Sequence, residues 1–169
     1  MLRIAVDASC LGNPGLVQYR GINLDTQEEI FCSTKMDGGT NNIGEFLAVV
    51  QAMQYLFSWK QTGEIYTDSK TALSWIRNGE MNTQADRDEM DDDLVNDIDF
   101  AIEFMERRGE FYKPMVRFWN TKELSESPAD FGRKGRGKPE IPVGSSRGKT
   151  VVPPNLKPVT PLVMDLFLS

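Results

Sequence analysis

Four acidic residues stand where an acid needs a reason. Asp7 interrupts an apolar strand pattern of Leu2, Ile4, Ala5 and Val6, and Glu45 opens an apolar helical pattern. Asp68 closes a strand pattern in IYTDSKTA, and Asp130 follows Pro128 in ESPADFGRK. An ionised carboxylate in a central strand is costly unless a cation or hydrogen bonds compensate it. Each position also has a plain structural reading: Asp7 as an outward-facing residue at a sheet rim, Asp68 as a helix N-cap, Glu45 and Asp130 as first-turn acids favoured by a helix dipole. Taken together, the four fall at strand ends or helix starts, and in an open mixed sheet such ends converge on one rim. Like charges gathered there repel, so the set is expected to persist by binding metal. Oxygen-only ligands select hard cations such as Mg²⁺ or Mn²⁺. Two such ions about 4 Å apart are the apparatus for in-line displacement at a phosphodiester. The chain contains no histidine, which excludes histidine–metal sites and histidine-based triads. Any hydrolytic chemistry falls to carboxylates, metals or both.

The elements that must carry these acids follow from hydropathy patterning. Residues 3–10 read as a strand ended by the turn Gly12-Asn13-Pro14-Gly15. Residues 16–24 and 28–35 continue as strands of an antiparallel meander, and 38–42 read as a polar turn. Phe46, Leu47, Val50, Met53, Leu56 and Phe57 have helical spacing over 43–59. A strand over 64–67 leads directly into a helix over 69–77. A long acidic helix is expected over 86–108, with Met90, Leu94, Ile98, Ile102 and Met105 as its apolar stripe and its acids as a solvated face. A strand over 115–120 and a short helix from Pro128 to about 133 complete the order βββαβααβα, an α/β fold with helices flanking a mixed sheet.

The 169 residues are one domain's worth of chain. The longest uncharged stretch, 46–59, has 14 residues broken by glutamines, so no bilayer-spanning helix and no membrane partner are expected. The apolar run in MLRIAVD is too short for a signal peptide. Two cysteines, Cys10 and Cys32, make no disulfide framework, and a cytoplasmic protein is the expectation. Residues 1–132 carry 12 Lys and Arg against 23 Asp and Glu, a net −11, whereas 133–169 carry 7 against 2, a net +5. An acidic body argues against simple coating of nucleic acid, because phosphate affinity scales with the cations presented. Residues 135–161, rich in Gly, Pro, Ser and Lys and without aromatics, read as a flexible basic linker. Residues 162–169 turn apolar again as a C-terminal peptide.

VDASCLGNPG, GTNNIGEFLAV, IYTDSKTALSW and SPADFGRK resemble, in order and spacing, the four signature segments of the type 1 ribonuclease H family, across a domain of residues 1–134. The resemblance implies a ribonuclease H-like fold with a five-stranded mixed sheet, its first three strands antiparallel. It implies an endonuclease that hydrolyses the RNA strand of RNA–DNA hybrids with two metal ions, leaving 5′-phosphate and 3′-hydroxyl ends. Asp7, Glu45, Asp68 and Asp130 match the family's catalytic, metal-binding carboxylates. Asp7 is implied to bridge both ions, Asp130 to serve the ion that activates water, and Glu45 and Asp68 the ion at the leaving oxygen. Mg²⁺, two ions per site with substrate, is the implied cofactor and Mn²⁺ its substitute. Ser9, Cys10, Gly12, Asn13 and Gly15 match a turn that touches RNA 2′-hydroxyls, the chief mark separating RNA from DNA. Asn41 and Asn42 match asparagines that contact the hybrid, and Thr40 a residue near the DNA-strand phosphate. Asn13-Pro14-Gly15 also reads as a plain hairpin turn, and Asn41-Asn42 as a helix cap. A silent hybrid- or partner-binding module and a nuclease for other nucleic acid are the alternatives on this fold. The retained acids weigh against the first, GNPG and TNNIGE against the second.

The chain also departs from the family pattern. Many members carry a histidine in the loop before the last aspartate; here loop 121–127 offers Glu123 and Glu126, and Glu126 is the candidate acid/base group. Where some relatives have a basic, Trp-containing protrusion, residues 79–89 hold Arg87 as their one cation, so the core is expected to bind a hybrid weakly and with strong salt dependence. Val163-Met164-Asp165-Leu166-Phe167 partly resembles the peptide with which bacterial replication proteins bind the sliding clamp, Val163 standing where that pattern has Gln. Met164, Leu166 and Phe167 are the implied clamp contacts; docking of this end on its own domain is the alternative. A monomer is expected.

Overall fold

The computed structural model describes residues 1–131. The expected linker, the C-terminal peptide and the clamp-contact residues Met164, Leu166 and Phe167 lie outside them. β1 (Leu2–Gly12) and β2 (Gly15–Asn23) form an antiparallel hairpin in unbroken register from Ile4–Asn23 to Gly12–Gly15. Gly12 has φ +96°, and a Cβ on Gly15 would lie 1.9 Å from the Leu11 carbonyl oxygen. Only glycine fits both corners, and the Asn13–Pro14 peptide between them is cis.

β3 (Glu29–Cys32) and β4 (Met36–Gly39) pair with two successive stretches of β2. The strand expected over 28–35 is therefore shortened to β3, an unexpected strand, β4, follows it in the same lane, and the polar turn expected from residue 38 begins as the end of β4. At the break, Ser33 Oγ accepts the Tyr19 N–H at 3.0 Å while the Ser33 N–H donates to the Tyr19 carbonyl at 2.8 Å. A side chain replaces a backbone acceptor, and the ladder shifts register. β5 (Gly63–Thr67) runs parallel to β1, and β6 (Val116–Phe118) parallel to β5. The order is β3-β2-β1-β5-β6 with β4 beside β2, six strands in five lanes of the expected mixed α/β sheet.

α1 (Asn41–Ser58), α2 (Lys70–Asn78) and α3 (Asp92–Tyr112) share one core with the β1 face that carries Ile4, Val6 and Ala8. Phe46, Ile76 and Leu94 are among the buried side chains they contribute, each favouring the fold by about 1.5–3 kcal/mol. Thr40 caps α1 by accepting the Ile43 N–H, Ser69 caps α2 by accepting the Ala72 N–H, and Gly79 closes α2 in the left-handed conformation. The caps are thus Thr40 and Ser69, which leaves Asp68 and Asn41-Asn42 out of the capping role. The long acidic helix starts later than its pattern suggests. Asp91 is tied to β4, its N–H donating to the Asp37 carbonyl and its Oδ2 accepting the Asp37 N–H, so residues 87–89 form a separate 3₁₀ turn. At Pro128 the expected helix start is a turn, closed by the Asp130 N–H on the Ser127 carbonyl. Arg20 donates to the Ala129 and Asp130 carbonyls of this turn, and the rest of the expected helix, residues 132 and 133, lies outside the described ones. Among the described residues no helix is long and apolar enough to cross a membrane.

The first turn of α1 lies close against the hairpin. A Cβ on Gly44 would stand 2.6 Å from Val17 Cγ2 and 2.8 Å from Ala8 Cβ. Gly44→Ala should destabilise the fold by about 1–3 kcal/mol. In urea titration this appears as a lower midpoint with unchanged slope; an unchanged midpoint would mean the helix can lift without cost.

Candidate functional site

β1 and β5 set the first two acids. Their register runs to Ala5–Tyr66, and two more residues along each chain bring Asp7 beside Asp68. β5 stops at Thr67, and into the opening beyond it comes Glu45, which lies buried one turn into α1 and is not the solvated first-turn acid of its plain structural reading. Glu45 Oε1 accepts the Ala8 N–H at 3.3 Å, an approach that the missing Cβ of Gly44 permits. Asp7, Glu45 and Asp68 each offer an oxygen, and these atoms all lie within 4.8 Å of one another.

Asp7 and Glu45 are only 7% and 3% exposed; Asp68 is half-buried. Burial, before any other cause, pushes the Asp7 carboxyl up to about 7, with the charges of Asp68 and Asp130 adding to it and hydrogen bonds to Glu45 and from Ala8 opposing it. Burial followed by the charge of Asp7 holds Glu45 well above the usual carboxylate range. Glu45 Oε2 is buried with no hydrogen-bond partner among the described residues. Two ionised carboxylates have no donor between them, so this oxygen is satisfied only by a proton or a cation. A buried, oxygen-only donor set with an orphaned oxygen fits a hard divalent ion.

Asp130 adjoins this group without belonging to its tight core of three. It sits half-buried in the turn after Pro128, and the next residue binds the site directly, the Phe131 N–H donating to Asp7 Oδ2 at 3.2 Å. Glu126 is half-buried in the preceding loop and outside the carboxylate group. That loop starts beside Asp68, since the Trp119 N–H donates to the Thr67 carbonyl at 2.7 Å, and it is closed by the Trp119 indole N–H on Ser125.

The residues matched to substrate contacts fall on two adjoining segments. Gly12 and Asn13 are exposed at the hairpin tip, Ser9 and Gly15 half-buried beside it. Gly15 pairs with Gly39, one residue before Thr40, so the hairpin abuts the segment Thr40-Asn41-Asn42. The Cys10 side chain is buried and turned inward, its one S–H placed to donate to the Gly12 carbonyl at 2.9 Å, with the Gly39 carbonyl next in reach at 3.5 Å. Patterning missed Arg20, fully buried in β2 and directly opposite Asp7. A signal was present: strand alternation puts Arg20 on the same face as Ile22 and Ala5, where a cation must have buried partners.

A family profile described as RNase H matches residues 1–117. The ribonuclease H of Neorickettsia sennetsu (strain ATCC VR-367 / Miyayama) is 37% identical over 82 residues, 43% of this chain and 52% of that protein. The chain thus spans about half the length of this curated relative. Among solved structures, LC11-RNase H1 in complex with an RNA/DNA hybrid aligns with 75% of this chain and 91% of its own at 14% identity and a TM-score of 0.47. RNase H1 from the halophilic archaeon Halobacterium salinarum NRC-1 aligns over 76% and 92% at 16% identity and a TM-score of 0.44. These structural likenesses are too distant to carry weight beside the sequence match. The matched span ends before Asp130, which rests on the SPADFGRK motif.

The raised carboxyls make stability depend on pH. A carboxyl whose folded pKa lies above its unfolded value stabilises the fold below the unfolded pKa, and that contribution is lost as pH rises through the folded one. With chelator present, the thermal midpoint should fall as pH rises from about 4 to about 7. Asp7→Asn should flatten that slope and raise the midpoint at pH 8 by about 5 °C. Mg²⁺ should raise the wild-type midpoint more at pH 8 than at pH 5, because protons compete for the same oxygens. A midpoint indifferent to pH in chelator would contradict the buried, mutually repelling pair.

Proposed function

The chain belongs to the RNase H family, and on that premise we propose that it is an endonuclease hydrolysing the RNA strand of RNA–DNA hybrids with two divalent ions. The observations that carry this reading are the convergence of Asp7, Glu45 and Asp68, one oxygen of each within 4.8 Å of the others, and the buried Glu45 Oε2 with no hydrogen-bond partner among the described residues. Asp7 would serve both ions, Glu45 and Asp68 the ion on the leaving-group side, and Asp130 the ion on the side of the attacking water. When bound, Mg²⁺, or Mn²⁺ in its place, lowers the pKa of water and offsets the charge growing at phosphorus. The chain's own part is to hold its acids rigid. The Ala8 N–H orients Glu45, and the Phe131 N–H orients Asp7, so little reorganisation accompanies substrate entry. The products carry 5′-phosphate and 3′-hydroxyl ends.

Substrate contact is assigned to the joined hairpin and α1 start. Ser9, Gly12, Asn13, Gly15 and the Cys10 backbone approach RNA 2′-hydroxyls, Asn41 and Asn42 contact the hybrid, and Thr40 lies toward the DNA-strand phosphate. Glu126 is the acid/base candidate in place of a histidine. Affinity from the core is low, because Arg87, the cation of residues 79–89, is already paired with Asp99 at 2.6 Å. In this reading residues 1–134 are the catalytic domain of a cytoplasmic monomer, 135–161 a basic linker, and Met164, Leu166 and Phe167 a contact for a sliding clamp.

Two measurements test these assignments. With Mg²⁺, wild type should cut only the RNA strand of a labelled hybrid, and Asp7→Asn should be slower by more than about a hundredfold; equal rates, or cleavage of both strands, would refute the enzyme described. Sliding clamp retained on an affinity column of the full chain should be lost with Leu166→Ala and Phe167→Ala; equal retention would remove the clamp from the picture.

A further inference from the structure

Arg20 is a cation inside the sheet. Its side chain is fully buried at the centre of β2, directly opposite Asp7 in the β1–β2 register. It shares its face with Ala5 and Ile22, which form a small apolar cluster with Ala129. Each guanidinium nitrogen has an acceptor. Nε donates to the Ala129 carbonyl at 2.8 Å, Nη2 to the Asp130 carbonyl at 2.7 Å, and Nη1 to Glu29 Oε2 at 3.5 Å. The guanidinium carbon lies 4.6 Å from the centre of the Phe131 ring. Residues 129, 130 and 131 are thus gripped in succession by β1 and β2.

We propose that Arg20 is a positioning residue for the reaction, its forked guanidinium pinning the backbone of Ala129 and Asp130 to the sheet and so setting where the Asp130 carboxylate stands relative to Asp7. This inference rests on the functional reading above. Asp7 and Glu45 rise from a strand and a helix, and Asp68 directly follows β5; Asp130 alone of the four sits in a turn that belongs to no strand or helix of the described residues. Its precision must come from a tether. A buried ion pair adds little stability over apolar packing, so stability is a poor reason for an arginine here. A planar donor bonded to two successive carbonyls fixes orientation as well as distance, which a lysine's single ammonium cannot reproduce. A misplacement of about 1 Å at such a site costs about a hundredfold in rate.

The test is Arg20→Lys, which retains the charge and loses the fork. The variant should have a kcat at least about tenfold lower and need several times more Mg²⁺ for half-maximal rate, with KM for the hybrid within about twofold of wild type. Without substrate, Mg²⁺ binding by calorimetry should weaken by a similar factor, and amide exchange at Phe131 should speed up while exchange in β1 stays slow. A lower thermal midpoint with unchanged kcat, Mg²⁺ requirement and Phe131 exchange would overturn the proposal, leaving Arg20 a structural residue only. If Arg20→Lys does not fold, Arg20→Met combined with Glu29→Gln removes both charges and takes the same measurements; failure of both to fold equally overturns it. If wild type cuts no hybrid, the functional reading fails by itself, and the Mg²⁺ titration and amide exchange still decide the tether.

Discussion

Asp7 and Glu45 are buried side by side with Asp68 at their edge, and the rest of the site is arranged around their mutual repulsion. Two unit charges about 4 Å apart repel by about 4 kcal/mol at the effective dielectric of a protein near its surface. Two backbone N–H groups, from Ala8 and Phe131, offset part of this. The remainder is met by a proton, as the rise of Asp7 to about 7 describes, or by a divalent cation. A proton and a divalent cation would occupy the same oxygens, so the charge state of the centre and the stability of the fold are linked through a single cluster.

The scaffold holds its acids in two ways. Asp7, Glu45 and Asp68 stand on or beside elements locked by hydrogen-bonded register and by the core, and the absent Cβ of Gly44 lets α1 come down onto Ala8 and Val17. Asp130 belongs to a turn, and its position is borrowed from β2 through Arg20. The same cross-strand pair, Asp7 opposite Arg20, therefore supplies an acid of the cluster on one strand and the anchor of the fourth acid on the other. Glu29 completes the arrangement as Arg20's ion-pair partner, so the buried cation does not draw its compensation from the carboxylate cluster alone.

Much of this was legible in the chain. The apolar run of β1, the helical spacing of Phe46, Val50 and Met53, and the turn at Gly12-Asn13-Pro14-Gly15 depend on near neighbours and survive in the fold. What escaped involves partners distant in sequence. Ser33 ends the third strand early by bonding to Tyr19, Asp91 delays α3 by bonding to Asp37, and Arg20 pins the turn that follows Pro128. In each case a polar side chain satisfies a backbone group that local pattern would have assigned to regular structure.

Residue order alone determined the types of the acids, the strand and helix patterns of β1, α1 and β5 that carry or adjoin Asp7, Glu45 and Asp68, and the family signature they form, because those properties rest on propensity and periodicity within a few residues. Only the tertiary structure decided which oxygens meet. It brought Asp7, Glu45 and Asp68 together through β-sheet register and helix docking, kept Asp130 one step outside, and found in Arg20 the cation that anchors it. Burial and pairing across the sheet are set by contacts between distant segments, and no local pattern encodes the distance between two atoms that such contacts alone bring together.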